Sequence, residues 1–292
     1  MKLVIGSDRL AEAAGGAARA AGAPLQRLDV RPVHNASKGF VNEGSVDICE
    51  FAIVTLLQAA ASNKPVALLP VTTLGRYQHQ TLVTLSDRTV DEIEGSSVGV
   101  RSWSQTTGVW VRGFLTEQYG VDLHRLNWTV YEEGHVDGYQ DPSWVTRAPA
   151  GHRLPDDFLD GRLDYGIMGN ELPSDGRIRT AIKDADKVAA AWSVQKGFAP
   201  VNHVVGVSLA AASEHSAAIC AIYDALAEAV AADQAKGPVD FTPVGFAALR
   251  GPVAQAAAYA LEQDVLPRPV EFDDLVAQTC DALGVPPSRL GG

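Results

Sequence analysis

Residues 46–69 open with Val46-Asp47-Ile48-Cys49-Glu50, continue as Phe51-Ala52-Ile53-Val54-Thr55-Leu56-Leu57-Gln58-Ala59-Ala60-Ala61, and close, after Ser62-Asn63-Lys64, on Pro65-Val66-Ala67-Leu68-Leu69. Two short apolar runs flank an Ala- and Leu-rich stretch free of glycine and proline, the pattern of a strand, a helix and a second strand. Upstream the same alternation holds, with a strand at 2–5 leading into an Ala-rich helix at 10–21. Strands that alternate with helices predict an α/β fold built on a largely parallel sheet.

The 292 residues carry 24 Lys and Arg against 35 Asp and Glu, a net charge of −11, which leaves no basic stripe for a phosphate backbone and excludes nucleic acid as a partner. A 46% hydrophobic content over this length fills the cores of about two domains. The longest apolar stretch, 51–63, includes Gln58 and stops at Lys64, short of the roughly 20 apolar residues that span a bilayer, so no membrane partner is expected. The N-terminal apolar run is cut short by Asp8 and Arg9, unlike a secretory leader, and Cys49, Cys220 and Cys280 are too widely spaced for a disulfide framework or a metal site. Both features point to the cytoplasm. Assembly into a homo-oligomer stays open.

A polar stretch at 87–97 precedes a new strand, loop and helix beginning at Val98, and Pro200 precedes a strand-like run at 204–208. These are the expected crossings between two domains: a discontinuous α/β domain I of 1–96 with 203–292, and an inserted α/β domain II of 97–202, with a cleft between them. Further helices are expected at 211–235, 252–263 and 272–283, the last stopped by Gly284 and the prolines beyond it.

The unit 98–120 joins a strand to a helix through Ser102-Trp103-Ser104-Gln105-Thr106-Thr107, with Thr106 or Thr107 as the expected N-cap and Gly120 as the stop. Hydroxyls gathered at a helix N-terminus suit a carboxylate or phosphate, although simple capping explains the same residues. Trp110, Phe114 and Leu115 read as core. Gly95-Ser96-Ser97-Val98-Gly99 fits a hydrolase nucleophile pattern, yet its serine precedes a strand where that chemistry needs a turn into a helix. His79 lies in a loop that leaves the apolar strand ending near Pro70, Glu50 ends the strand at 46–49, and His203 stands at the second crossing; strand ends of this kind carry ligand groups in α/β proteins. Each also has an ordinary explanation, a helix-entry carboxylate in the case of Glu50. The unit 156–168 delivers Asn170 to a strand end. Glu132, Glu133, His135 and Asp137 follow no ligand spacing and read as a loop, so no metal ligands are assigned.

Laid in order, these segments resemble the 4,5-dihydroxyphthalate decarboxylase family. The similarity rests on Val46-Asp47-Ile48-Cys49-Glu50 (that family's F-D-V-C-E), the strand ending at Pro70 with Arg76 and His79 after it, and Val98-Gly99-Val100 through Thr106, Trp110, Arg112 and Gly113. It continues through Leu159-Asp160-Gly161-Arg162-Leu163-Asp164, Phe198-Ala199-Pro200-Val201-Asn202-His203-Val204-Val205 and Glu262-Gln263. The chain departs from the family at Tyr77-Gln78-His79, where the family has F-R-H, and at Thr72, where it has phenylalanine. The missing arginine implies a substrate that carries less negative charge than a phthalate, or carries it elsewhere.

The resemblance implies a type II periplasmic-binding-protein-like clamp and non-oxidative loss of CO2 from a hydroxylated aromatic carboxylic acid by ring protonation. In that reading His79 is the general acid that protonates the ring, His203 or Glu50 takes or polarises the phenolic proton, and Arg76 holds a carboxylate. Ser102, Ser104, Gln105, Thr106, Thr107 and Asn170 bind the other polar end. No organic cofactor is required, and a divalent metal stays open. Another lyase on the same fold, such as a dehydratase, and a cytoplasmic solute-binding or sensor protein for a small carboxylate are the competing readings.

Overall fold

The computed structural model describes residues 1–233 and 237–292. Among these residues two sheets carry the architecture. The first gathers β1 (Lys2–Val4), β2 (Gln26–Arg27), β3 (Ile48–Ala52), β4 (Val66–Gly75) and, from late in the chain, β11 (Val201–Ser208), in the order β2-β1-β3-β11-β4. The second gathers β5 (Leu82–Thr84), β6 (Ser97–Val100), β7 (Asn127–Val130), β8 (Thr146–Arg147), β9 (Tyr165–Ile167) and β10 (Arg179–Thr180), in the order β10-β5-β9-β6-β7-β8. Strands entered through a helical crossover lie parallel, as with β1 beside β3 and β6 beside both β7 and β9. In each sheet the strand that enters from the other sheet runs the opposite way. β11, which follows α5 (Ala185–Lys196), is antiparallel to β3 and β4, and β5 is antiparallel to β9.

The expected domain borders shift accordingly. β5 precedes residue 97 yet pairs with β9 and β10, so the chain changes sheets between Gly75 and Leu82. The chain returns to the first sheet at Val201.

The helices are α1 (Asp8–Ala20), α2 (Ile53–Ala61), α3 (Thr106–Tyr119), α4 (Leu154–Leu159), α5 (Ala185–Lys196), α6 (Leu209–Glu214), α7 (Ser216–Asp233), α8 (Phe246–Glu262) and α9 (Phe272–Leu283). The single helix expected at 211–235 is two helices, α6 capped by Ser208 and ended at His215, with α7 following; positions 234 and 235 lie outside the described residues. α8 begins before Pro252 and carries that proline within it. Gly120 and Gly284 end α3 and α9 in the left-handed conformation, as expected. One large apolar core spans both sheets and includes Trp103, Trp110 and Trp128, all fully buried. No helix among the described residues is long and apolar enough to cross a membrane.

Candidate functional site

A cavity of about 460 Å³ lies between the sheets. The first sheet and its connections contribute His34, Ala52, Thr55, Leu74, Asn202 and His203. The second contributes the loop at 101–107, the turn at 132–135, and Asn170 with Glu171, while Arg76 enters from the crossing.

His203 reaches the cavity because of strand register. It opposes Ala52 on β3, Val205 opposes Glu50, and side chains two apart share a face, so Glu50 and His203 meet diagonally. Irregular pairing of β11 with β4 on both sides of His203 bends the strand there. His203 Nδ1 and Glu50 Oε1 are 2.8 Å apart, and Gly6 donates its backbone N–H to Glu50 Oε2 at 2.8 Å. Gly6 is required for that approach, since a Cβ there would stand 3.3 Å from Glu50 Oε2 and 2.9 Å from Val33 Cγ1. Burial alone would raise the Glu50 carboxyl, but the hydrogen bond and charge of His203, with the Gly6 N–H, outweigh it and hold Glu50 below its ordinary value.

Two helix N-termini converge on the same space. Neither Ala52 before α2 nor Gln105 before α3 provides a side-chain cap. Thr106 is the first residue of α3 and not its cap, and its hydroxyl instead accepts the backbone N–H of Val54 in the first turn of α2. Thr107 follows it inside the helix, while Gln105 donates its side-chain amide to Glu171 at 3.0 Å. Ser102 and Ser104 stand with their hydroxyls 3.3 Å apart on the cavity wall. Arg76 donates to Asn170 Oδ1 at 3.0 Å, and burial lowers its guanidinium from the ordinary value.

His79 is not part of this site. Its ring is fully buried, stacks on Phe114 at 4.0 Å, and accepts from the Gln118 amide, with burial pushing it down to about 4. The loop after β4 turns inward against α3 and α5, because the aromatic side chains of Phe114 and Trp192 draw the ring into the core. The expected ring-protonating role of His79 therefore loses its geometric basis. Of the residues singled out from sequence, the cavity collects His203, Arg76, Ser102, Ser104, Gln105, Thr106, Thr107 and Asn170, with Glu50 directly behind His203.

Several cavity residues were not assigned from sequence. His135 accompanies Glu132 and Glu133 on the wall, its Nδ1 3.2 Å from Thr55 Oγ1 and its ring stacked on His34. Burial, with help from Arg101, pushes His135 down to about 4 and also lowers His34. Arg101 pairs with Glu132 at 2.9 Å. Behind the wall, Arg112 is wholly buried, bonds Trp103 O, stacks on the Trp103 ring, and donates to Gln263 Oε1 at 2.8 Å. Gln263 in turn accepts from Trp103 Nε1, so the end of α8 holds the cavity loop in place. The co-occurrence of Arg112 and Gln263 among the family-like motifs was the available signal. Among the described residues no group of three His, Cys, Asp or Glu side chains is arranged to hold a metal ion.

Two lobes, each built on an α/β sheet, flank a cavity with helix N-termini at its edge, the fold of periplasmic-binding-protein-like proteins. Solved structures agree. The fold matches the ligand-binding component of an ABC-type import system from Staphylococcus aureus, solved with zinc bound (TM-score 0.57, 10% identity, 97% of this chain and 98% of that one). It also matches a periplasmic sulfonate-binding protein from Methylobacillus flagellatus (0.56, 11%, 98% and 94%). A third match is DszB, solved as a cysteine-to-serine mutant in complex with biphenyl-2-sulfinic acid (0.52, 16%, 97% and 98%). No family model matches the chain. In sequence the chain is similar to 4,5-dihydroxyphthalate decarboxylases. One from Comamonas testosteroni is 27% identical over 191 residues, covering 58% of this chain and 56% of that protein. One from Pseudomonas putida is 30% identical over 139 residues, covering 44% and 54%. The chain thus spans about half the length of the curated relatives it matches.

Proposed function

We propose that this protein is a carboxy-lyase that removes CO2 without oxidation from a hydroxylated aromatic carboxylic acid. The observation that carries this reading is the Glu50–His203 pair, with His203 in the cavity wall that Arg76 also lines and Glu50 behind it, on a chain similar to named decarboxylases. β11 and β4 place the two cavity groups together: His203 opposes Leu74, and the Arg76 backbone N–H donates to Pro200 O.

The ring-protonating role passes from His79 to His203. Glu50 accepts from Nδ1, which fixes the ring and leaves Nε2 for the substrate. The imidazolium delivers its proton to the ring carbon that bears the carboxylate, forming a C–H bond. The C–C bond to the carboxylate then breaks, its electron pair returns to the ring to restore aromaticity, and CO2 leaves. His203 regains a proton from water, so each turnover consumes one proton and needs no oxidant. A para hydroxyl pushes electron density toward the protonated carbon. Arg76 and the N-terminus of α3 orient the acid through charge-assisted hydrogen bonds. The three cysteines are buried and free, which supports action in the cytoplasm.

The test is incubation with a panel of hydroxylated benzoates and phthalates while CO2 and ring absorbance are followed, with His203→Gln as control. CO2 release that depends on His203 is the expected result. Tight binding without release from any member would replace this reading with that of a ligand-binding protein, the role named for several structural neighbours.

A further inference from the structure

The charged residues that line the cavity are two cations, Arg76 and Arg101, and three carboxylates, Glu132, Glu133 and Glu171. Arg101 is already engaged by Glu132 at 2.9 Å. Arg76 spends one nitrogen on the neutral Asn170 and lies within the field of Glu171, which raises its proton affinity against the effect of burial. Burial lowers the further imidazoles on the wall, His34 and His135, from their ordinary value, His135 to about 4. The remaining attraction for an anion comes from Arg76, from the proton that His203 donates in the proposed step, and from the partial positive charge, about half a unit each, at the N-termini of α2 and α3.

The position beside His79 adds to this count. Gln78 is fully buried, and its amide donates to Asn202 Oδ1 while Asn202 lines the cavity. A neutral amide therefore stands behind the wall at the position where the similar family carries a guanidinium. Gln78 touches no cavity surface itself and acts by positioning Asn202.

We infer that the cavity selects aromatic acids with one carboxylate over dicarboxylates, and that Glu171 and the Gln78–Asn202 pair set this preference. Among the described cavity residues Arg76 holds the first carboxylate, His203 faces the reacting ring carbon and Arg101 is paired with Glu132, so a second carboxylate would have to sit near three acidic side chains, and like charges in a partly buried site repel strongly. The inference rests on the proposed aromatic-acid substrate class, and it concerns binding alone.

The test compares 3,4-dihydroxybenzoate with 4,5-dihydroxyphthalate, which differ by one carboxylate. Kd is read from quenching of tryptophan fluorescence in the first milliseconds, before turnover. The monocarboxylate is expected to bind the full chain at least about tenfold more tightly. Glu171→Gln should strengthen dicarboxylate binding and narrow that ratio, and Gln78→Arg should narrow it further. Should Gln78→Arg fail to fold, the half-exposed Glu171 still tests the proposal. Equal or tighter binding of the dicarboxylate, binding of neither compound, or a ratio that neither variant moves would overturn it. Monocarboxylate preference without CO2 release sinks the decarboxylase reading and leaves this one standing; CO2 release with a dicarboxylate preference does the reverse.

Discussion

His79 and His203 lie near one another in the fold's wiring, one after the end of β4 and the other in the strand paired with it, and they are put to opposite uses. His79 is packed between α3 and α5, with Phe114 on its face and Gln118 as its one hydrogen-bond partner. His203 faces the cavity, with a carboxylate behind it that is itself fixed by the Gly6 N–H. Burial in an apolar setting disfavours the charged form of His79, whereas His203 is oriented towards the cavity by a carboxylate. The comparison teaches that the partners supplied by packing, not the imidazole itself, decide which histidine can take part in chemistry.

The largest effect is expected at His203. His203→Gln should lower kcat/KM by roughly 10² to 10⁴ with little change in Tm, because general acid catalysis is worth that much and the side chain is partly exposed. Comparable turnover in the variant would end the contrast between the two histidines.

At His79 the expected effect is on stability. The folded protein binds a proton there more weakly than the unfolded chain, about 4 against 6.5, so the unfolded state gains protons first on acidification. Stability is therefore full above about pH 6.5, falls as pH drops towards about 4, and levels off below, at a cost of roughly 3 kcal/mol. His79→Phe should flatten part of that fall in denaturant midpoints measured from pH 7.5 to 4. His135, also held at about 4, supplies a second part of the slope. The activity of folded His79→Phe should stay within about twofold of the parent, since the ring makes no contact with the cavity.

A smaller change is expected for Arg76→Met, which removes the cation beside His203. KM should rise about tenfold or more for carboxylated substrates, in line with the loss of a charged hydrogen bond. An unchanged KM would move the anion site to the α3 terminus alone. The smallest effect belongs to Cys49, inside the same motif as Glu50: burial, then the Glu50 charge, raises its thiol, so iodoacetamide at pH 7.5 should leave it unmodified and activity unaltered.

Much of the fold was legible in one dimension. The α/β alternation, the strand after Pro65 and the stops at Gly120 and Gly284 all rest on local hydrophobic period and backbone preference, which neighbouring residues set, whereas the strand expected at 46–49 runs from Ile48 to Ala52 because β11 pairs along that length. The cavity loop from Ser102 to Thr107 was legible too, because hydroxyls before an apolar helix mark an N-terminus wherever it packs. Its detailed role was not, since Thr106 serves α2, a helix 52 positions away in sequence.

What the tertiary structure alone decided is which side chains meet. The entry of β5 into the second sheet, the burial of His79 by Phe114 and Trp192, the Arg112–Gln263 tie behind the loop, and the arrival of His135 at Thr55 all join residues far apart in the chain. Local pattern reports a residue's own preference and its near neighbours', whereas the charge a histidine carries depends on desolvation and on partners brought in by packing. Glu50 and His203, 153 residues apart, show both halves: each was a candidate from its expected place at a strand end or crossing, but Glu50 lies in the middle of β3, and only the register of β3 against β11 made them a pair.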